Sequence, residues 1–237
     1  MRKGGKILAE ILHEIAASVS PGMTTGELDR MAAALCKKHD VKPAFLGYQD
    51  YPAILCVGVD DVAIHGIPSD EEILIEGQTI SIDMGIIFKD MYLDHAVTVG
   101  VGTIDEEGEK LLHSTELAMK AGIAQAVAGK HTGDIGYAIE QVALLAGLSV
   151  ITAMTGHGVG RKLHEEPSIP CFGERGKGFR LVAGMTVAIE AMINEGTGDL
   201  EFLSDGWTTV TQDGMRSAIF EHTVLVGDKS PEILTIR

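Results

Sequence analysis

Two separated stretches of this chain repeat at one spacing. PGMTTGEL (21–28) and AGKHTGDI (128–135) share Gly22/Gly129, Thr25/Thr132 and Gly26/Gly133, with Glu27/Asp134 and Leu28/Ile135 matched in kind. LIEGQTISID (74–83) and LVAGMTVAIE (181–190) share Leu74/Leu181, Gly77/Gly184, Thr79/Thr186 and Ile82/Ile189 at the same offset. One offset shared by two segments restricts the fold more than any bulk property, because it requires two related halves. The local patterns agree. Thr24 and Glu27 form a capping-box pair ahead of a helix running to about Lys38, with Leu28, Met31, Ala32 and Leu35 as its buried stripe. Thr132 or Asp134 opens the matching helix, with Ile135, Ile139, Val142 and Leu145 inward, and a helix over 106–127 joins the halves. Alternating β-branched runs predict strands at 54–59, 79–88, 91–101, 149–154, 185–193, 208–211 and 218–226. The expectation is a single α+β domain over 1–237, with repeats over roughly 20–100 and 127–226, folded as two pseudo-symmetric halves around a curved antiparallel sheet.

The repeat also aligns two acids inside apolar strands, Asp83 of SIDMG and Glu190 of AIEAM. A buried carboxylate must be paired, protonated or bound to a cation. Asp94 follows the strand-like MYL, and Glu221 lies between Ile219-Phe220 and Val224-Leu225. His157 stands in TGHGVGRKLHEEP, where alternate glycines disfavour a helix. Four carboxylates and one imidazole, with no thiolate, make an oxygen-rich set that suits Mn, Fe or Co and can hold Zn, and two divalent ions would neutralise the four charges. Such a pair, about 3.5–4 Å apart, activates water and clamps a carbonyl. Taken singly, Asp94 also reads as a turn residue, Glu221 as a surface edge and His157 as a loop residue.

Net charge is −15, with Lys plus Arg 19 against Asp plus Glu 34. That balance argues against nucleic-acid binding and a polybasic membrane anchor. Three cysteines without C-x-x-C spacing suit a reducing compartment. The first apolar residues follow amphipathic-helix spacing rather than a leader pattern, and no run is long enough to span a bilayer. The expectation is a cytoplasmic protein.

With those residues placed, the chain resembles the type I methionine aminopeptidases, of the pita-bread fold and peptidase family M24. LGYQDYP (46–52), AIHGIP (63–68), SIDMG, YLDHA, TGHGVGRKLHEEP, AGMTVAIEAMINEG and SAIFEHTVLV each resemble a segment of that family, over essentially the whole chain. The resemblance implies removal of the initiator methionine from nascent polypeptide N-termini when the second residue is small. It implies two divalent cofactor ions (Co, Mn, Fe, Zn or Ni), a monomer, and the ribosome as a further partner to consider. Asp83 would hold one metal with both oxygens, His157 and Glu190 the other, and Asp94 and Glu221 would bridge them. Glu190 would also shuttle the proton of the attacking water. His65 and His164 would contact the scissile peptide without binding metal. The glycines around His157 would leave room for backbone and metal to approach. The methionine pocket would include Tyr48, Tyr51, Cys56, Leu163 and Trp207, with Phe45 nearby; for these residues core packing reads equally well. Gly85 and Ala96 stand where the family usually has hydroxyl residues, and Ala191 where it has proline. Two rivals share the fold. Proline-specific relatives usually add an N-terminal domain, whereas this sequence starts at its first helix. Metal-free binding modules typically lose ligands that are all present here.

Overall fold

The computed structural model describes all 237 residues. Helices α1 (Arg2–Ser18) and α2 (Thr25–His39) precede β1 (Lys42–Pro43), β2 (Leu55–Val59), β3 (Val62–Ile64), β4 (Thr79–Phe88) and β5 (Met91–Gly100). Helices α3 (Glu106–Ile123) and α4 (Thr132–Leu145) come next. The second set of strands is β6 (Ser149–Val150), β7 (Thr155–Gly158), β8 (Glu165–Pro170), β9 (Thr186–Asn194), β10 (Leu200–Phe202), β11 (Thr209–Thr211), β12 (Ser217–Leu225) and β13 (Glu232–Ile233). The main sheet runs β1-β4-β5-β12-β9-β7-β8, with β2 on β4, β6 on β9 and β13 on β12, and every pairing is antiparallel. A second sheet, β10-β11-β3, is hydrogen-bonded separately and packs through β3 against β2 and β12.

The repeat in sequence is a repeat in backbone. Gly22 and Gly129 share φ near 90° (90° and 89°), and Gly77 and Gly184 have φ 95° and 92°. These left-handed positions turn each half into its helix and its first long strand, and glycine adopts them without strain. Isolated bridges join Thr24 to Ile73 and His131 to Arg180, again at equivalent places. Thr24 caps α2 with the predicted reciprocal box: Glu27 N–H donates to its hydroxyl and its own N–H to Glu27 Oε2. The cap of α4 is His131, whose N–H donates to Asp134 Oδ2 at 2.8 Å. The helix itself begins at Thr132, as expected, with Asp134 in its first turn.

Each half has its own core. Leu8, Ile11, Leu12 and Ile15 of α1 pack with Leu28 and Ala32 of α2 against Ile80, Ile82, Met84 and Ile86 of β4. Ile135, Ile139 and Ala143 of α4 and Leu111, Ala118 and Met119 of α3 pack against Val187, Ile189, Ala191 and Ile193 of β9. Burying each such large side chain contributes about 1.5–3 kcal/mol. Three stripe residues depart from expectation, Val142 being only partly buried. Met31 is likewise only half-buried, and Leu145, read as inward and the last residue of α4, is 90% exposed. Of the strand expected at 149–154, only Ser149–Val150 pairs; the rest is loop. No helix is long and apolar enough to cross a membrane.

Candidate active site

Strand alternation sends Ile82, Met84 and Ile86 to the helices and Asp83 and Gly85 to the other face. Cross-strand register then aligns the acids. Cys56 lies opposite Asp83, Asp83 opposite Ala96, Ala96 opposite Glu221, and Glu221 opposite Glu190. These five residues form one row across five strands and both halves. Two residues along, Gly85 faces Asp94, and Thr223 faces Ala188, which faces His157. The main chain of Asp94 is hydrogen-bonded to the Thr223 hydroxyl, which completes the second row. Adjacent rows on one face bring all four carboxylates and His157 to one cavity of about 360 Å³.

No lysine or arginine lines that cavity. Burial, then the charges of Asp94 and Glu190, pushes the Asp83 carboxyl well above its ordinary range, and burial does the same for Glu221. Burial lifts Asp94 to about 7 and, with the Asp94 charge, Glu190 to about 8. Asp83 Oδ1 and Glu221 Oε1 are buried without any hydrogen-bond partner. The Nδ1–H of His157 donates to its neighbour Gly158's carbonyl at 2.9 Å, which leaves Nε2 with a lone pair 3.9 Å from Asp94 Oδ2. Ligand atoms of Asp94, His157 and Glu221 all lie within 4.8 Å of one another. Crowded carboxylates, orphaned oxygens and an imidazole with a free nitrogen fit a divalent-cation centre. Asp83 and Glu190 line the same cavity, outside that tight group of three.

Local backbone explains the glycines around His157. A Cβ at Gly156 would lie 2.5 Å from the Ala188 carbonyl oxygen, and one at Gly158 would strike the Glu166 carbonyl oxygen. Strand β7 is squeezed between β9 and β8, so neighbouring main chain, rather than a metal, demands glycine there.

His164 stands at the mouth, its ring centroid 4.3 Å from that of His157 and its Nδ1 2.8 Å from the Tyr48 hydroxyl. His65 lines the same cavity beside Trp207 (centroids 6.1 Å) and has φ 57°, a left-handed conformation uncommon outside glycine. Strain of this kind concentrates at functional sites. Burial, then the nearby His164, lowers the His65 imidazole to about 4, so it is neutral at pH 7.

The apolar wall is built from Phe45, Tyr51, Cys56 and Leu163, with Tyr48 and Trp207 partly covering them. Tyr51 has a double role that sequence did not suggest. Its ring meets Trp207 edge-on at 4.9 Å, while its hydroxyl lies 2.9 Å from the carbonyls of Leu55 and Gly66. It thereby ties down the loop that carries His65. Phe45 packs over Gly85, where a Cβ would come within 2.7 Å of its ring. Gln49, Ile64, Ala153, Met154, Thr155 and Ile219 also line the cavity and were not singled out from sequence. Thr155 and Ile219 were legible in principle, since each lies two residues before a candidate ligand and so on the same strand face.

A two-lobed antiparallel fold with an acidic, cation-ready cavity beside an apolar wall defines a metallohydrolase. Residues 1–228 match the profile of metallopeptidase family M24, and the chain belongs to that family. It is 45% identical to a methionine aminopeptidase of Clostridium perfringens, over 100% of this chain and 94% of that protein. It is 42% identical to one of Aquifex aeolicus, over 99% and 94%. A crystal structure of methionine aminopeptidase from Thermotoga maritima superposes with a TM-score of 0.98 at 40% identity, covering 100% of this chain and 95% of that one. A Xaa-Pro dipeptidase from Bacillus anthracis has a TM-score of 0.78 at 17% identity, covering 59% of that larger chain, and shares the fold.

Proposed function

We propose that this protein removes N-terminal methionine from nascent polypeptides whose second residue is small, as a single catalytic domain of two repeated halves acting in the cytoplasm. The observation that carries this reading is the pairing of the carboxylate–His157 cluster with the Phe45–Tyr51–Leu163–Trp207 wall in one cavity. Asp83, Asp94, His157, Glu190 and Glu221 would hold two divalent ions. When bound, such ions lower the pKa of water and polarise a peptide carbonyl.

The chain's own residues supply the rest. Glu190 takes the proton of the attacking water and returns it to the leaving amine. His164 and His65 reach the scissile peptide, from the mouth and from beside Trp207, and donate to the oxygen that becomes negative. Proton-donating His164 would be positioned by the Tyr48 hydroxyl. The apolar wall takes the flexible thioether, and Cys56 contributes a thiol whose pKa is pushed up by burial and by Asp83, so it stays neutral. Crowding by the histidine-bearing rim limits the second residue to small side chains.

The test is a peptide series varied at its first two positions. Met-Ala-Ser and Met-Gly peptides should turn over rapidly, Met-Arg very slowly because its long charged side chain would have to enter the crowded rim and shed water, and Leu-Gly weakly, one hydrophobic swap in a pocket costing about 1–3 kcal/mol. Faster cleavage of Ala-Pro-Ala than of Met-Ala-Ser would reassign the chain to the proline-specific branch of the fold.

A further inference from the structure

The two halves meet at the seam between β5 and β12, which carries Asp94 on one side and Glu221 on the other. Direct strand pairing across this seam covers only Glu221↔Ala96 and His222↔His95, whereas β12 and β9 pair from Ser217 to Leu225. Two threonine side chains hold the seam beyond that short contact. The Thr223 hydroxyl accepts the Asp94 N–H at 2.9 Å and donates to the Asp94 carbonyl at 2.8 Å. The Thr98 hydroxyl does the same to Ile219, accepting at 2.9 Å and donating at 2.8 Å, and has Ser81 as a further partner.

The two clamps are related by the pseudo-dyad of the fold. Asp83 and Glu190 are equivalent by the sequence repeat, and they lie opposite Ala96 and Glu221, which face each other. The dyad therefore passes through the Ala96–Glu221 pair. Two residues along each strand from that pair lie Thr98 on β5 and Thr223 on β12, so each is the other's counterpart. Both are buried, at 3% and 0% exposure. Their targets differ. Thr98 grips Ile219, which carries no ligand, and Thr223 grips Asp94, whose carboxylate lies within 4.8 Å of ligand atoms of His157 and Glu221.

We infer that Thr223 is a positioning residue for the metal centre: its hydroxyl fixes the main chain of Asp94, and with it the carboxylate that faces the ligands of the other half. This rests on the proposed ligand role of Asp94. A threonine-to-valine change keeps shape and removes the clamp, leaving a buried N–H and carbonyl unmet at either position. Thr98→Val also strips Ser81 of its partner, so an effect through folding alone would fall at least as heavily on Thr98; positioning makes Thr223 the change that weakens metal binding.

The experiment compares Thr223→Val and Thr98→Val in the metal-stripped protein by thermal melting and by Mn²⁺ titration calorimetry. Both should melt lower than wild type. Thr223→Val should bind Mn²⁺ about 10–100-fold more weakly, as lost outer partners of metal ligands typically cause, with Thr98→Val within about threefold of wild type and Thr223→Ser restoring affinity. If Thr223→Val does not fold, Thr223→Cys carries the same expectation. Equal Mn²⁺ affinities for the two valine variants, or no rescue by serine, would overturn the inference. Asp94→Asn should lose Mn²⁺ binding; wild-type affinity in that variant would instead remove the ligand assignment beneath it.

Discussion

A single methyl group added at Gly85 should loosen the protein and reshape the apolar wall of its cavity. The new Cβ would stand 2.7 Å from Phe45 Cε1 and 3.0 Å from Ala44 Cβ. Carbon atoms at rest sit about 3.5–4.0 Å apart, so the ring must withdraw by roughly 1 Å. Overpacking on this scale costs about 1–3 kcal/mol. For a domain of this size that is about 2–12 °C in Tm. The ring is 7% exposed, so its retreat has to be taken up by the pocket side. KM for methionyl peptides should rise while metal content is unchanged, because the atoms nearest the added methyl belong to Phe45 and Ala44 rather than to a candidate ligand. Phe45→Leu should relieve the clash, giving a double-mutant coupling of about 0.5–3 kcal/mol. Melting of the four proteins and steady-state kinetics on one peptide suffice as assays. An unchanged Tm for Gly85→Ala, or effects that simply add with Phe45→Leu, would refute the reasoning.

The remaining expectations concern the reacting groups. Glu190→Gln preserves shape but cannot accept a proton, so turnover should fall by about 10²–10⁴-fold in folded protein, and retention of more than about a tenth would contradict the role. His65→Ala and His164→Ala should each lower turnover yet keep the wild-type metal content by elemental analysis; loss of a metal equivalent from either would make that histidine a ligand.

Much of the first half was legible because its signals are local. The Thr24–Glu27 box needs only four residues, and it forms as expected. Strands β4, β5, β9, β11 and β12 lie within a residue or so of the alternating runs that predicted them. The glycines of the repeat could be aligned because both copies need the same left-handed turns. Strand β8 was missed because EEPSIP mixes acids and prolines, a composition tolerated only at the sheet edge, where it lies. Of the small sheet, β11 was legible but its partners β3 and β10 were hidden. These strands are three residues long and form through contacts distant in sequence, which also bring Trp207 to the cavity. The candidate ligands could be named one by one from acids in apolar strands. Their arrangement in two adjacent rows could not, because register between halves is set by tertiary pairing and by hydroxyl clamps such as that of Thr223.

The central claim is that this cavity cleaves methionyl peptides only when its carboxylates hold divalent ions. The direct measurement is turnover of Met-Ala-Ser by chelator-stripped enzyme as Mn²⁺, Co²⁺, Fe²⁺, Zn²⁺ or Ni²⁺ is returned in a titration followed by both activity and bound metal. Activity should be absent in the stripped protein and return with at least one of these ions, with two ions per chain bound at saturation and none by Asp94→Asn. Full turnover in rigorously metal-free enzyme, or restored turnover in Asp94→Asn at wild-type metal concentrations, would contradict the account.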